Sequence, residues 1–308
     1  MGEGCVFYVV GGDSRSCYLS LHLAKNNKVV FHFDPYDVEI LRHSNVTIIT
    51  GASGVGFKRL IQGECAAREH MSKVLILPVP VTKDGEFING KSLLTVGSIS
   101  EAACDFDMVF GGIIPSDFIK KADASPYVFD YMKDDYVAAE NAVATAEGAI
   151  IDAALMSNVN IYNSTCLVAG YGRCAKAIAK RLYSWGADVI IVARRSVQRK
   201  EAALNGYKVM SFEETCSYRN ILSKVDFCFN TVPALVVCED ILSNLASNVV
   251  VVDVASKPGG VDFNYLKECN IPYKHSLGIP GKISPKSSGI ILAEATLKEI
   301  DACKHVNS

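Results

Sequence analysis

Gly170, Gly172 and Ala175 stand in the run TCLVAGYGRCAKAIAKR (Thr165–Arg181) at the spacing G-x-G-x-x-A. That spacing handles phosphate. The first glycine permits a tight turn, the second lets a pyrophosphate approach the backbone, and the small third residue lets a helix pack closely on its sheet. Phosphate oxygens would lie on the first N–H groups of the helix, at the positive end of its dipole, along Gly170, Tyr171, Gly172, Arg173 and Cys174. After the next strand, DVIIVA (Asp188–Ala193), a dinucleotide domain ordinarily carries an acid for the adenosine ribose. Here Ala193, Arg194, Arg195 and Ser196 stand in that place. Two guanidinium forks and a hydroxyl suit a 2′-phosphate, so the expected cofactor is NADP(H) ahead of NAD(H). The alternative is that the two arginines are solvated surface charge. Further lining of the cofactor site is expected from Asn230, Thr231, Val232 and Pro233, from Asp253 and Ala255, and from Gly278 and Pro280.

Three other places carry groups that could act on a substrate. The first half has its own glycine turn, Gly11-Gly12-Asp13-Ser14-Arg15, after the strand CVFYVV. Open α/β sheets place ligands at such turns, which makes Ser14 and Arg15 candidates for holding an anion. The competing reading has Asp13 or Ser14 capping the helix and Arg15 in solvent. Thr145 and Glu147 lie on a long helix next to an expected bend at Gly148. Glu147 could move a proton, or simply face water. His275, at a strand end, could be a proton donor or a structural imidazole.

These groups need elements to position them. Apolar runs at Cys5–Val10, 28–33, Val46–Ile49, 73–78 and 107–110 alternate with helices expected over 16–25, 55–71 and 116–121. The second half repeats the pattern with strands at 166–169, 188–193, 225–230 and 248–254. Alternation of this kind predicts parallel sheets covered on both faces. A long helix, Asp134–Ser157, joins the halves, and a final helix, Ser287–Ala302, is expected to cross back onto the first. The proline segment 77–82 follows a strand end, the polar run KDGEFINGK (83–91) reads as an exposed excursion, and 275–286 reads as a fixed loop. The expected fold class is α/β, with two Rossmann-like doubly wound domains joined by long bridging helices. A discontinuous substrate or partner domain would take residues 1–140 plus 287–308, and an NAD(P)-binding domain residues 141–286.

The composition fits this picture. The 308 residues are 49% hydrophobic and 21% charged with a net charge of −2, which gives no basic bias toward nucleic acid. The eleven cysteines include no C-x-x-C pair and read as reduced thiols of a cytoplasmic protein. No apolar run approaches the roughly 18 residues of a membrane span. The six histidines include no H-E-x-x-H or comparable ligand pair, so no metal is expected.

Four stretches carry a family resemblance: VVGGDSR at the N-terminus, TAEGAI (Thr145–Ile150), VDVASKPGGVDF (Val252–Phe263) and LGIPGKISPKSSGIILAEAT (Leu277–Thr296). Together they resemble the dipicolinate synthase A subunits of spore-forming bacteria, which are related in fold to the alanine, formate and 2-hydroxyacid dehydrogenases. The resemblance implies conversion of 4-hydroxy-tetrahydrodipicolinate to pyridine-2,6-dicarboxylate, by loss of water and of a hydride equivalent. It also implies a small dicarboxylate substrate, a partner in the smaller, flavoprotein-like B subunit of dipicolinate synthase, and residence in the mother cell of a sporulating bacterium; a homo-oligomer is expected as well. Alanine dehydrogenases carry an aspartate where this chain has Lys257, a departure that counts against an amino-acid substrate. A dianionic substrate calls for cations, for which Arg15, Lys257, Lys282 and Lys286 are the available set, with Thr145 beside them. Lys257, Glu147 and His275 are the expected catalytic groups. Rival readings are another NAD(P)-dependent 2-hydroxyacid or amino-acid dehydrogenase, and a non-catalytic protein that binds dinucleotide to regulate a partner.

Overall fold

The computed structural model describes residues 4–26, 29–51, 53–67, 70–90, 92–116, 118 and 126–306. The chain divides into two compact units, Met1–Ala138 with Ser284–Ser308, and Ala139–Ile283.

In the first unit, β1 (Cys5–Val10) is buried at every position, as the central strand of a doubly covered sheet must be. Its alternate residues feed two cores. Cys5, Phe7 and Val9 pack on one face of the sheet, and Val6, Tyr8 and Val10 on the other. Around it stand β2 (Val29–Phe33), β3 (Val46–Ile49), β4 (Ser72–Ile76), β5 (Met108–Gly111) and β6 (Tyr127–Asp130) in the order β3-β2-β1-β4-β5-β6. All of these pairings are parallel. The helix α1 (Ser14–Ala24) packs against the returning helix Pro285–Val306, where a Cβ on Gly289 would stand 2.4 Å from the Arg15 carbonyl oxygen. Also in this unit are α2 (Gly54–Ala67) and α3 (Val96–Ala102). The helix expected over 116–121 lies largely outside the described residues. The segment 83–90 is mostly exposed, although Ile88 is buried and Thr82 bridges to it.

The division between the units falls inside α4 (Asp135–Met156). The helix runs unbroken through Gly148, where the sequence predicts a bend. Close approach explains the glycine. A Cβ there would lie 2.3 Å from Ile279 Cγ2 and 3.0 Å from Ile283 Cγ1. Those isoleucines belong to a short helix, Ile279–Ile283, inside the segment expected to be a fixed loop.

The second unit repeats the first. Its strands are β7 (Thr165–Ala169), β8 (Asp188–Val192), β9 (Lys208–Met210), β10 (Phe227–Asn230), β11 (Val250–Asp253) and β12 (Tyr273–His275), in the order β12-β11-β10-β7-β8-β9 and all parallel. Its helices are α5 (Arg173–Ser184), α6 (Ser196–Leu204), α7 (Arg219–Leu222), α8 (Glu239–Leu242), α9 (Phe263–Glu268) and α10 (Ile279–Ile283). The returning helix of the first unit is accordingly α11. Both sheets thus have the doubly wound order in which the strand direction of travel reverses beside the first strand, and ligands of such sheets sit outside the strand ends at that reversal.

Candidate dinucleotide site

In the second unit the reversal lies between β7 and β10, and the carboxyl ends of those strands carry Gly170 and Thr231. A cavity of about 470 Å³ opens there, lined by the Gly170–Gly172 turn, Arg194, Arg195, Gln198, Phe212 and the Thr231–Ala234 loop. The two glycines serve different ends. Gly170 has φ +95°, and a Cβ on it would meet Thr231 Oγ1 at 2.6 Å, so the turn itself demands glycine. Gly172, at the N-cap of α5, has ordinary φ, and a Cβ there would meet nothing within 4 Å. The protein leaves space above Gly172 that its own packing does not fill. No side chain of the cap residue Gly172 closes the N-terminus of α5, which opens onto that space. These features fit a dinucleotide pyrophosphate.

Arg194 and Arg195 are exposed at the cavity's edge, and Ser196 opens α6 beside them. A second hollow of about 430 Å³ adjoins them, lined by Arg173, Lys176, Arg195, Gln198 and Glu201 among others, with Lys176 paired to Glu201 at 2.6 Å. Sequence reasoning passes over Arg199. Its Nη1 donates to the carbonyl oxygens of Ala193 at 2.7 Å and Arg194 at 2.6 Å.

Several expected contact residues are instead spent on the loops. Asp253 is wholly buried. One of its oxygens accepts from Asn230 Nδ2 and the Ala255 N–H, the other from the Gly260 N–H, each at 2.8 Å. Asn230, also buried, donates to the Val232 carbonyl and accepts from the Val232 N–H, which shapes the loop holding Thr231, Val232 and Pro233. Asp253 and Asn230 therefore build the wall and do not reach the cavity with their polar atoms. The Thr231 hydroxyl donates to the Ala169 carbonyl at 2.9 Å. Ala255 is buried, and Gly278 has φ +67° just before α10, which holds Pro280.

The proton-transfer candidates are not gathered around the turn. Glu147 Oε1 accepts from Arg181 Nη2 at 3.0 Å and from Nε at 3.3 Å. Arg181 lies in the last turn of α5, eight residues and about 12 Å of helix rise beyond the phosphate end. His275 Nε2 lies 2.8 Å from the Ala255 carbonyl, which can only accept, so that nitrogen carries the hydrogen and is committed. The ring stacks on Phe263, centroids 5.1 Å apart. The imidazole thus ties β12 to the loop after β11. Thr145 donates to the Asn141 carbonyl at 2.8 Å and also interacts with the Cys174 thiol. Burial pushes that thiol up, away from reactivity. Lys257 and Lys282 are exposed in this unit, and Lys286 is exposed in the first turn of α11. Nothing in the sequence announces Asp152, whose buried carboxylate accepts from Lys274 Nζ and Ser276 Oγ, both at 2.6 Å.

The glycine turn of the first unit is closed by its own chain. The Gly12 N–H donates to the Asn89 carbonyl at 2.6 Å, and a Cβ on Gly90 would meet Gly12 backbone atoms at 2.5 Å. Asp13 caps α1 through the Arg15 N–H. Arg15 is not a solvated side chain but is nearly buried and engaged by its own turn. Its Nε and Nη2 grip the Asp13 carboxylate at 2.9 and 2.8 Å, and Nη2 also donates to the Val79 carbonyl. Burial alone would raise the Asp13 carboxyl, but the bonds and charge of Arg15 outweigh it and hold it below its ordinary value. Ser14 simply opens α1. Beneath the turn, buried His32 spans Ser20 Oγ (3.0 Å from Nδ1) and the Gly11 carbonyl (3.2 Å from Nε2).

Among the described residues no helix is long and apolar enough to cross a membrane, and no group of three or more His, Cys, Asp or Glu is placed to hold a metal ion. Residues 143–295 match the family described as S-adenosyl-L-homocysteine hydrolase, NAD binding domain. The A subunit of dipicolinate synthase from Bacillus subtilis (strain 168) is 31% identical over 164 residues, which are 53% of this chain and 54% of that protein. The match therefore spans about half the length of that relative. The crystal structure of the dipicolinate synthase A subunit from Bacillus halodurans superposes with a TM-score of 0.78 and 26% identity, covering 97% of this chain and 98% of that one. A transhydrogenase from Sinorhizobium meliloti shares the fold at a TM-score of 0.65 and 13% identity, over 96% of this chain and 94% of that one. In fold along nearly its whole length, and in sequence over about half of it, the chain is similar to the A subunit of dipicolinate synthase.

Proposed function

We propose that this chain is an NADP(H)-linked oxidoreductase that converts 4-hydroxy-tetrahydrodipicolinate to pyridine-2,6-dicarboxylate, the reaction implied by its likeness to the A subunit of dipicolinate synthase. The observation that carries the cofactor part is the unfilled space over Gly172, with two arginines lining the same cavity. When bound, the nicotinamide would supply a hydride acceptor. The chain's own residues do the holding. The first turn of α5 receives the pyrophosphate, Arg194, Arg195 and Ser196 receive the 2′-phosphate, and the Asn230–Asp253 pair keeps the Thr231–Pro233 wall in shape. Lys257 and Lys282, both exposed in this unit, are offered to the substrate carboxylates, since Arg15 is neutralised by Asp13. The B subunit of dipicolinate synthase would be the partner.

The test is a coupled assay in which the purified chain, with and without that B subunit, receives enzymatically generated hydroxy-tetrahydrodipicolinate and NADP+ or NAD+. Pyridine dicarboxylate and reduced nicotinamide should rise together, faster with NADP+. One observation favours a second reading, a dinucleotide-binding protein whose partner does the chemistry. Glu147 is tied to Arg181, and His275 has committed Nε2 to a carbonyl. Tight cofactor binding without either signal, in any pairing, would select that second reading.

A further inference from the structure

We infer that Arg199 is the residue that sets dinucleotide selectivity, by bracing the β8–α6 loop from beneath so that Arg194 and Arg195 are held toward the cavity. The inference rests on the reading of that arginine pair as a 2′-phosphate site. Three observations support it. First, Arg199 Nη1 donates to the carbonyls of Ala193 and Arg194, two consecutive residues of the loop, at 2.7 and 2.6 Å. Second, Arg199 occupies the first turn of α6, where the helix dipole disfavours a cation. The two carbonyls, acceptors from the loop just before the helix, give the charge a reason to be there. Third, past Ala193, which is buried with its N–H on the Met210 carbonyl at 3.1 Å, the loop has little side-chain support of its own. Arg195 is the N-cap of α6 and makes no side-chain cap, and Arg194, Arg195 and Ser196 are all exposed. Without the brace, two long cationic side chains and their backbone would have to be ordered by the ligand at the moment of binding, and that ordering weakens affinity. The cost falls on the ligand with a phosphate to place against the arginines. A ligand lacking the 2′-phosphate makes little use of them and should hardly notice.

The experiment uses the full chain and measures Kd for NADPH and NADH in wild type, Arg199→Met, Arg199→Lys and the Arg194→Ala/Arg195→Ala double variant. Amide exchange over 193–197 is measured without cofactor. Met keeps the length and apolar stem but donates nothing. Lys keeps a donor nitrogen with several hydrogens. The expected result is a Kd for NADPH raised about tenfold in Arg199→Met with NADH nearly unchanged, faster exchange in the loop, and substantial recovery of both in Arg199→Lys. The double variant should lose NADPH selectively without faster exchange. If the double variant loses selectivity but Arg199→Met does not, the brace is overturned while the phosphate site stands. Selectivity lost in Arg199→Met with exchange unchanged would overturn it too, because a charge acting through space leaves the loop as it was. Equal losses of NADPH and NADH in the double variant would sink the arginine-pair reading, and the inference with it.

Discussion

At the scale of single residues, the two glycines of the turn separate folding from binding. Gly170 is required by the backbone, so Gly170→Ala should destabilise the protein by about 1–3 kcal/mol, through positive φ and the contact with Thr231. Gly172→Val should lower stability by no more than a poorer N-cap costs, about 1 kcal/mol, because a Cβ there meets nothing within 4 Å. Its methyls would occupy the place assigned to the pyrophosphate, and cofactor affinity should vanish. A Gly172→Val protein that binds NADPH like wild type would refute the site. His32 supports a pH prediction. Burial lowers its pKa from 6.5 to about 4, only partly opposed by the Gly11 carbonyl. A depressed histidine is neutral in both states above pH 6.5, so its contribution to stability is whole there. Below 6.5 the unfolded chain takes up a proton that the folded chain refuses, and stability falls until the folded pKa is reached. Unfolding free energies from urea titrations of wild type and His32→Gln should therefore converge as pH drops from 7 to 4, by up to about 3 kcal/mol. Parallel curves would remove His32 from the account. The glycine turn and the arginine pair are legible in the sequence because their meaning is local. That Asp253, Asn230 and His275 are consumed by loops is not, since the bonds that pair Asn230 with Asp253 and His275 with Ala255 join residues 20 or more positions apart.

At the scale of elements, legibility follows burial on both faces. The central strands are short, unbroken apolar runs, and β1, β10 and β11 stand within two or three residues of where hydrophobicity places them. The edge strands β6 and β9 do not read from the sequence, and β12 is marked only by the placing of His275 at a strand end, because each is short and partly exposed: YVFD, KVM and YKH lack the apolar run that marks a core strand. The helix α10 is hidden by Pro280 and Gly281, residues that ordinarily announce a loop. Its packing on α4 supplies a test. Gly148 lies against Ile279 and Ile283, so Gly148→Val should cost about 1–3 kcal/mol by overpacking, despite a better intrinsic helix former in place of glycine. Combined with Ile279→Ala, it should cost less than the sum of the two single changes, because each substitution makes room for the other. Strict additivity in denaturant melts would mean that the helices move apart without strain.

At the scale of the whole molecule, two sheets of identical order have been put to different uses. In the first unit the reversal beside β1 is filled by the chain itself. Asn89 takes the Gly12 N–H, and Asp13, Arg15 and the Val79 carbonyl lock the turn. In the second unit the same position is left as a cavity. The two halves are therefore expected to respond differently to a dinucleotide, although topology alone would treat them alike. NADP+ at about 100 times its Kd should stabilise the protein by about 2.7 kcal/mol, acting on the unit that contains the site. For a unit of this size that corresponds to roughly 5–10 °C in Tm. Amide exchange should slow through the buried strands β7, β8, β10 and β11, while β1 and β4, whose neighbouring turn is already closed, keep their own rates. Protection appearing around Gly11 and Gly12 would show that the closure by Asn89 opens to admit the ligand and that the first unit's turn is a working site after all. Protection confined to residues 139–283 would assign the two copies of one topology distinct roles, one binding and one built shut.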